Sequence, residues 1–146
     1  MKKGQKRIRV HLKQSSKDEY LLLGLVTTEP DYKLSLALNN KILLSLKNNT
    51  PVEVAGEKGD LLSFSRFSDL NGAPEIIYNL ISNKSDNNIL LKKYKNIDYF
   101  LQVHNTEGSL DINLLTEKLR EIDRVTAVFR INISEIKDNN IHYLTS

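Results

Sequence analysis

The chain of 146 residues has no Cys, no Trp and a single Met, which is residue 1. Without Cys there is no disulfide framework, no thiolate-ligated zinc, no iron–sulfur cluster and no thiol nucleophile. Long apolar runs are also missing. The longest is Leu21-Leu22-Leu23-Gly24-Leu25-Val26, far short of the roughly 20 residues that span a bilayer as a helix. The basic start is interrupted by charge at every second residue, so no secretory signal follows it. These features predict a cytoplasmic protein with no membrane partner. The sequons Asn48-Asn49-Thr50 and Asn132-Ile133-Ser134 then read as chance matches, in a chain whose Asn, Lys and Ile content fits an AT-rich genome.

Signature motifs are equally scarce. Gly56-Glu57-Lys58-Gly59 has the wrong spacing for a phosphate-cradling P-loop, and no G-x-G-x-x-G or G-x-S-x-G occurs. His11, His104 and His142 have no His or Cys at metal-ligand spacing. No metal and no cofactor is expected.

What remains has the balance of an ordinary globular protein, 40% hydrophobic and 27% charged. The length suits one domain, 1–146, with residues 1–5 as a flexible basic terminus. Residues 6–13 alternate, Ile8, Val10 and Leu12 against Arg7, Arg9, His11 and Lys13, which predicts a half-buried strand. The apolar run over 20–27 predicts another. Thr28 and Asp31 fit a capping box around Pro30, and Leu34, Leu38, Ile42 and Leu46 follow at helical spacing. The pattern predicts a helix over 29–47, with a possible break at Asn39-Asn40.

Strands are predicted over 51–55, 61–67, 75–82 and 89–93. Asn71-Gly72 is a turn pair that makes 61–67 and 75–82 antiparallel neighbours. Residues 97–105 alternate, with Ile97, Tyr99, Leu101 and Val103 on an inner face and Asp98, Phe100, Gln102 and His104 on a solvent face. Ser109 or Asp111 caps a helix over about 110–122 with Leu115, Leu119 and Ile122 inward. Val125, Ala127, Phe129 and Ile131 form the next strand, and strand–helix–strand suits a crossover connection. A turn over 134–138 and a short strand over 141–144 close the chain. The expected class is α+β: a largely antiparallel sheet of about six to eight strands with two principal helices.

Charge is the most uneven property. Residues 1–17 carry seven cations and no acid, while the rest carries 14 cations against 18 acids, so +7 and −4 make up the net +3. Lys6, Arg7, Arg9, His11 and Lys13 could meet an acidic protein or a phosphate backbone, or could guard an edge strand against unwanted pairing. Lys92, Lys93 and Lys95, interleaved with Tyr94 and close to Tyr99 and Phe100, form a second basic stretch suited to the same partners. A non-enzymatic adaptor binding an acidic protein leads, with RNA binding next. An enzyme using Asp98, His104 and Asp31 comes last, because six strand residues set Asp98 about 20 Å from His104.

Leu91-Lys92-Lys93-Tyr94-Lys95-Asn96-Ile97-Asp98-Tyr99 resembles the signature of the IPExxxVDY family of the Bacteroidota. Leu91 and Ile97 stand as conservative replacements, Asp98 and Tyr99 match, and Lys92 and Lys93 replace the Pro and Glu. Asp31-Tyr32-Lys33-Leu34 and Asn83 also resemble family positions. The resemblance implies a bacterial cytoplasmic protein and supplies no catalytic residues. Asp98 and Tyr99 should point to opposite faces of their strand, so they are not expected to serve one site side by side.

Overall fold

The computed structural model describes residues 20–70, 76–105 and 110–145. The strand expected over 6–13, the turn at Asn71-Gly72 and the cap at Ser109 lie outside the described residues. Within them the chain runs β1 (Tyr20–Thr27), α1 (Asp31–Ile42), β2 (Lys47–Ala55), β3 (Leu61–Asp69), β4 (Ile76–Ser82), β5 (Lys84–Ser85), β6 (Asn88–Ile89), β7 (Tyr99–Asn105), α2 (Ile112–Arg120) and β8 (Val125–Ile131). Short 3-10 helices occupy Lys92–Tyr94, Ile133–Glu135 and Asn139–Leu144.

Six strands form one sheet in the order β2-β3-β4-β7-β1-β8, every neighbour antiparallel. The α+β class expected from the sequence is therefore the class observed. β7 and β8 both run antiparallel to β1 and flank it. The β7-α2-β8 connection thus crosses over β1 and joins two parallel strands.

Strand alternation builds two cores, one on each face. On one face Phe67, Leu80, Leu101 and Leu23 stand in register across four strands. Leu34 and Leu38 of α1 and Leu115 and Leu119 of α2 cover them. The other face carries Leu22, Phe64, Ile81 and Phe100 beneath Leu90, Leu91, Ile97, Ile133, Ile136 and Leu144. Among the described residues no α-helix covers this side. It is sealed by the loop after β6 and by the C-terminal segment.

Several expectations are corrected by this second core. The outer face of β7 is not a solvent face, because Phe100 and Gln102 are buried. Ile97 does not share the face of Tyr99, Leu101 and Val103: the strand begins at Tyr99, and Ile97 packs on the opposite side against Gly24. A Cβ on Gly24 would lie 2.7 Å from Ile97 Cδ1, so glycine is what lets this loop come close. Residues 89–93 are no strand but the end of a tight hairpin followed by a 3-10 turn. Residues 141–144 are 3-10 as well, since Leu144 must reach down onto the sheet.

The helices are shorter than their periodicity suggests. α1 ends at Ile42, where Leu43 adopts the left-handed conformation (φ 57°). Asn39 is no breaker: its amide pairs with both backbone groups of Leu46 (2.8 and 3.2 Å) and folds the chain back toward β2. The capping box does not form; Pro30 is the N-cap, and the Thr27 hydroxyl accepts the Glu29 N–H instead. α2 starts where Asp111 accepts the Leu114 N–H. In β8 a register shift opposite Val26 and Thr27 places Val125 and Val128 inward and leaves Phe129 half-exposed. β2 begins at Lys47, earlier than expected, with an irregularity between Asn49 and Val52 around Pro51.

Candidate functional site

Two places gather the residues singled out by the sequence. The first is the segment 90–98. Leu90 and Leu91 are fully buried and Ile97 nearly so, which pins both ends of the segment to the core. Between them Asn83, itself wholly buried, acts as the fastener. Its side-chain oxygen accepts the Leu91 N–H (2.8 Å), and its amide donates to the carbonyls of Tyr94 and Ile97 (2.9 Å each). Its own backbone bonds Asp98 O and Leu90 N. With the backbone held this way, Lys92, Lys93 and Lys95 project outward and are exposed. Lys92 reaches Glu57 at 3.1 Å. Tyr94 is half-buried against the lower core, so its ring is not presented among the lysines.

The second is a cavity of about 490 Å³ at the end of the sheet where β1 and β4 finish and β7 begins. Thr27, Glu29, Ser82, Lys84, Asp98 and Tyr99 are among its walls. Asp98 and Tyr99, which were not expected to serve one site side by side, both border this cavity because it lies at the strand end. Asp98 accepts the Thr27 N–H at 3.0 Å and pairs with the Lys84 ammonium at 2.8 Å. The Tyr99 hydroxyl donates to Glu29 O at 2.8 Å. Burial, followed by the nearby carboxylates of Asp31, Asp98 and Glu29, pushes the Tyr99 phenol up to about 12. Each of these makes a phenolate beside existing negative charge unfavourable. The Glu29 carboxylate is itself met by Arg124 at 3.3 Å.

His104 belongs to neither place. It sits at the far end of β7, stacked on Tyr20 with ring centroids 4.5 Å apart. Asp31 lies close enough to influence Tyr99 but binds its neighbour's Tyr32 N–H at 2.7 Å. Asp98, His104 and Asp31 therefore do not converge. Lys6, Arg7, Arg9, His11 and Lys13 lie outside the described residues. Among the described residues no group of three or more His, Asp or Glu is arranged to hold a metal, and no helix is long and apolar enough to cross a membrane.

Sequence reasoning did not identify Thr27, Glu29, Ser82 and Lys84 as neighbours of Asp98. Together with Asp98 they come from three separated stretches and meet only through the strand register. It also missed a buried polar ladder beneath the C-terminal segment. Ser68, Asn79 and Gln102 stand side by side on β3, β4 and β7. Asn49 donates to Ser68 (3.0 Å), Ser68 to Asn79, Asn79 to Gln102 (2.9 Å), and Gln102 to the Leu144 carbonyl. No protein-family model, curated protein or solved structure matches this chain.

Proposed function

We propose that this protein, bacterial and cytoplasmic as the IPExxxVDY resemblance implies, is an interaction module that docks an acidic protein surface and performs no catalysis of its own. One observation carries the reading: the turn bearing Lys92, Lys93 and Lys95 is locked from beneath by Asn83, Leu91 and Ile97. Charges on a fixed backbone meet a partner with little ordering cost, which favours affinity. The basic residues Lys6, Arg7, Arg9, His11 and Lys13 extend the same chemistry. RNA is disfavoured as the partner because Tyr94 is committed to packing, whereas single-stranded RNA needs exposed rings to stack on.

The test is fluorescence anisotropy of the full chain against a labelled Asp/Glu-rich peptide and against mixed-sequence RNA, at about 50 and about 200 mM salt. The peptide is expected to bind at the lower salt. Lys93→Glu with Lys95→Glu is expected to weaken it by about tenfold or more, and reversal of Arg7, Arg9 and Lys13 to Glu to weaken it further. Absence of peptide binding at the lower salt, or binding indifferent to both reversals, sinks the proposal. RNA binding tighter than peptide binding, with a steep salt dependence, transfers the site to nucleic acid.

A further inference from the structure

We propose that the cavity at the Asp98 end of the sheet binds a free α-amino acid, held by its ammonium on Asp98 and its carboxylate on Lys84. The inference is independent of the basic turn and rests on the spare bonding capacity of one ion pair. Lys84 and Asp98 are joined at 2.8 Å, and their side chains keep 42% and 23% of their surface exposed. Both belong to the cavity wall.

An ammonium has three donors, and only one is used here by Asp98. A carboxylate has about four acceptor positions. Asp98 spends one on the Thr27 N–H and one on Lys84. A half-exposed pair with donors left on one partner and acceptors left on the other offers two adjacent charges of opposite sign. An α-amino acid carries the complementary two charges on neighbouring carbons.

Other ligand classes fit less well. A phosphate or other polyanion would face the carboxylates of Glu29 and Asp98 with only one lysine on the wall to offset them. A simple amine would satisfy Asp98 but leave the Lys84 ammonium as a like charge beside it. A purely apolar molecule would take the half-exposed charges of Lys84 and Asp98 out of water and offer them nothing in return. The volume of about 490 Å³ falls in the range of small-ligand sites and leaves room for a side chain beyond the charged end. The rim hydroxyl of Thr28 and the aliphatic parts of Val26 and Pro30 line that space.

The experiment is isothermal titration of the full chain with each of the common free α-amino acids. The best binder is then repeated as its N-acetyl derivative and as its carboxamide. At least one free amino acid is expected to bind with Kd of about 1 mM or tighter, and each blocked form to lose about tenfold, since each removes one charge-assisted contact. Lys84→Met is expected to lose about tenfold while keeping its urea midpoint, because Lys84 is exposed. Asp98→Asn, which can still accept the Thr27 N–H, provides the second variant and is expected to lose binding likewise. No binding by any free amino acid at about 10 mM, equal binding of the blocked forms, or full binding by a folded Lys84→Met or Asp98→Asn protein overturns the assignment.

Discussion

Asn83 is a single uncharged residue, itself wholly buried, that holds the segment from Leu91 to Ile97 by accepting one backbone N–H and donating to two carbonyls. Buried backbone groups left without partners cost about 1–3 kcal/mol each. Asn83→Ala is therefore expected to destabilise the fold by about 3 kcal/mol or more, read as a lowered urea midpoint. Asn83→Asp sharpens the argument. Aspartate keeps the acceptor for Leu91 but turns a carboxylate oxygen toward the carbonyls of Tyr94 and Ile97, so it should be at least as harmful as Ala. An Asp variant as stable as the parent would show that the two donated bonds contribute nothing. Nothing about Asn83 in the sequence beyond its resemblance to a family position pointed to this role. An Asn after a strand reads first as a turn residue, and only the return of residues 91–97 over the sheet gives it three partners.

Among the elements, periodicity was most informative where one face alone is buried. Leu115 and Leu119 of α2, and Ile122 just beyond its end, are buried as their spacing requires, and Asp111 caps the helix. β3 and β4 pair antiparallel as expected. The reading failed where burial is two-sided. In β7 five consecutive residues from Tyr99 to Val103 are buried, so alternation of side-chain polarity no longer marks inside and outside. Gln102 looked like a solvent residue because it is polar, yet it is buried with its amide engaged on both sides. The polar ladder to which it belongs spans three adjacent strands, and no pattern local to one strand can announce it.

This ladder is also what anchors the C-terminal segment. Gln102→Ala removes the donor to the Leu144 carbonyl and the acceptor of the Asn79 amide. The expected loss is about 2 kcal/mol, chiefly from the buried Leu144 carbonyl and in smaller part from the half-buried Asn79 amide. Hydrogen exchange should locate the effect: amides of 139–145 are expected to lose protection more than those of the β2–β3 hairpin, which touches Gln102 only through the ladder's far end. Unchanged protection over 139–145 would mean that Leu144 is held by packing alone.

For the molecule as a whole, the sign of charge separates along the chain while the fold draws two phenols close to carboxylates on one face. Tyr78 and Tyr99 both contribute to the core beneath the helices. Burial, then the Asp69 carboxylate, raises the Tyr78 phenol above its ordinary value, and burial with three carboxylates raises Tyr99 to about 12. A folded-state value above the unfolded value of 10.0 means that the unfolded chain gives up its proton first. Their contribution to stability is thus intact below pH 10 and is lost as pH rises through the folded values, toward 12 for Tyr99. Tyr99 adds a slope of about 1 kcal/mol per pH unit in that window, and Tyr78 acts in the same direction. Urea unfolding followed from pH 9 upward should therefore show stability falling steeply above about pH 10. Tyr99→Phe removes the hydroxyl bonded to Glu29 O and should lower stability at neutral pH by about 1 kcal/mol, yet flatten the alkaline fall; adding Tyr78→Phe should flatten it further. The two effects have opposite directions, so a general weakening of the core cannot imitate them. If the double variant loses stability above pH 10 as steeply as the parent, the alkaline sensitivity belongs to other groups and the buried phenols are not its source.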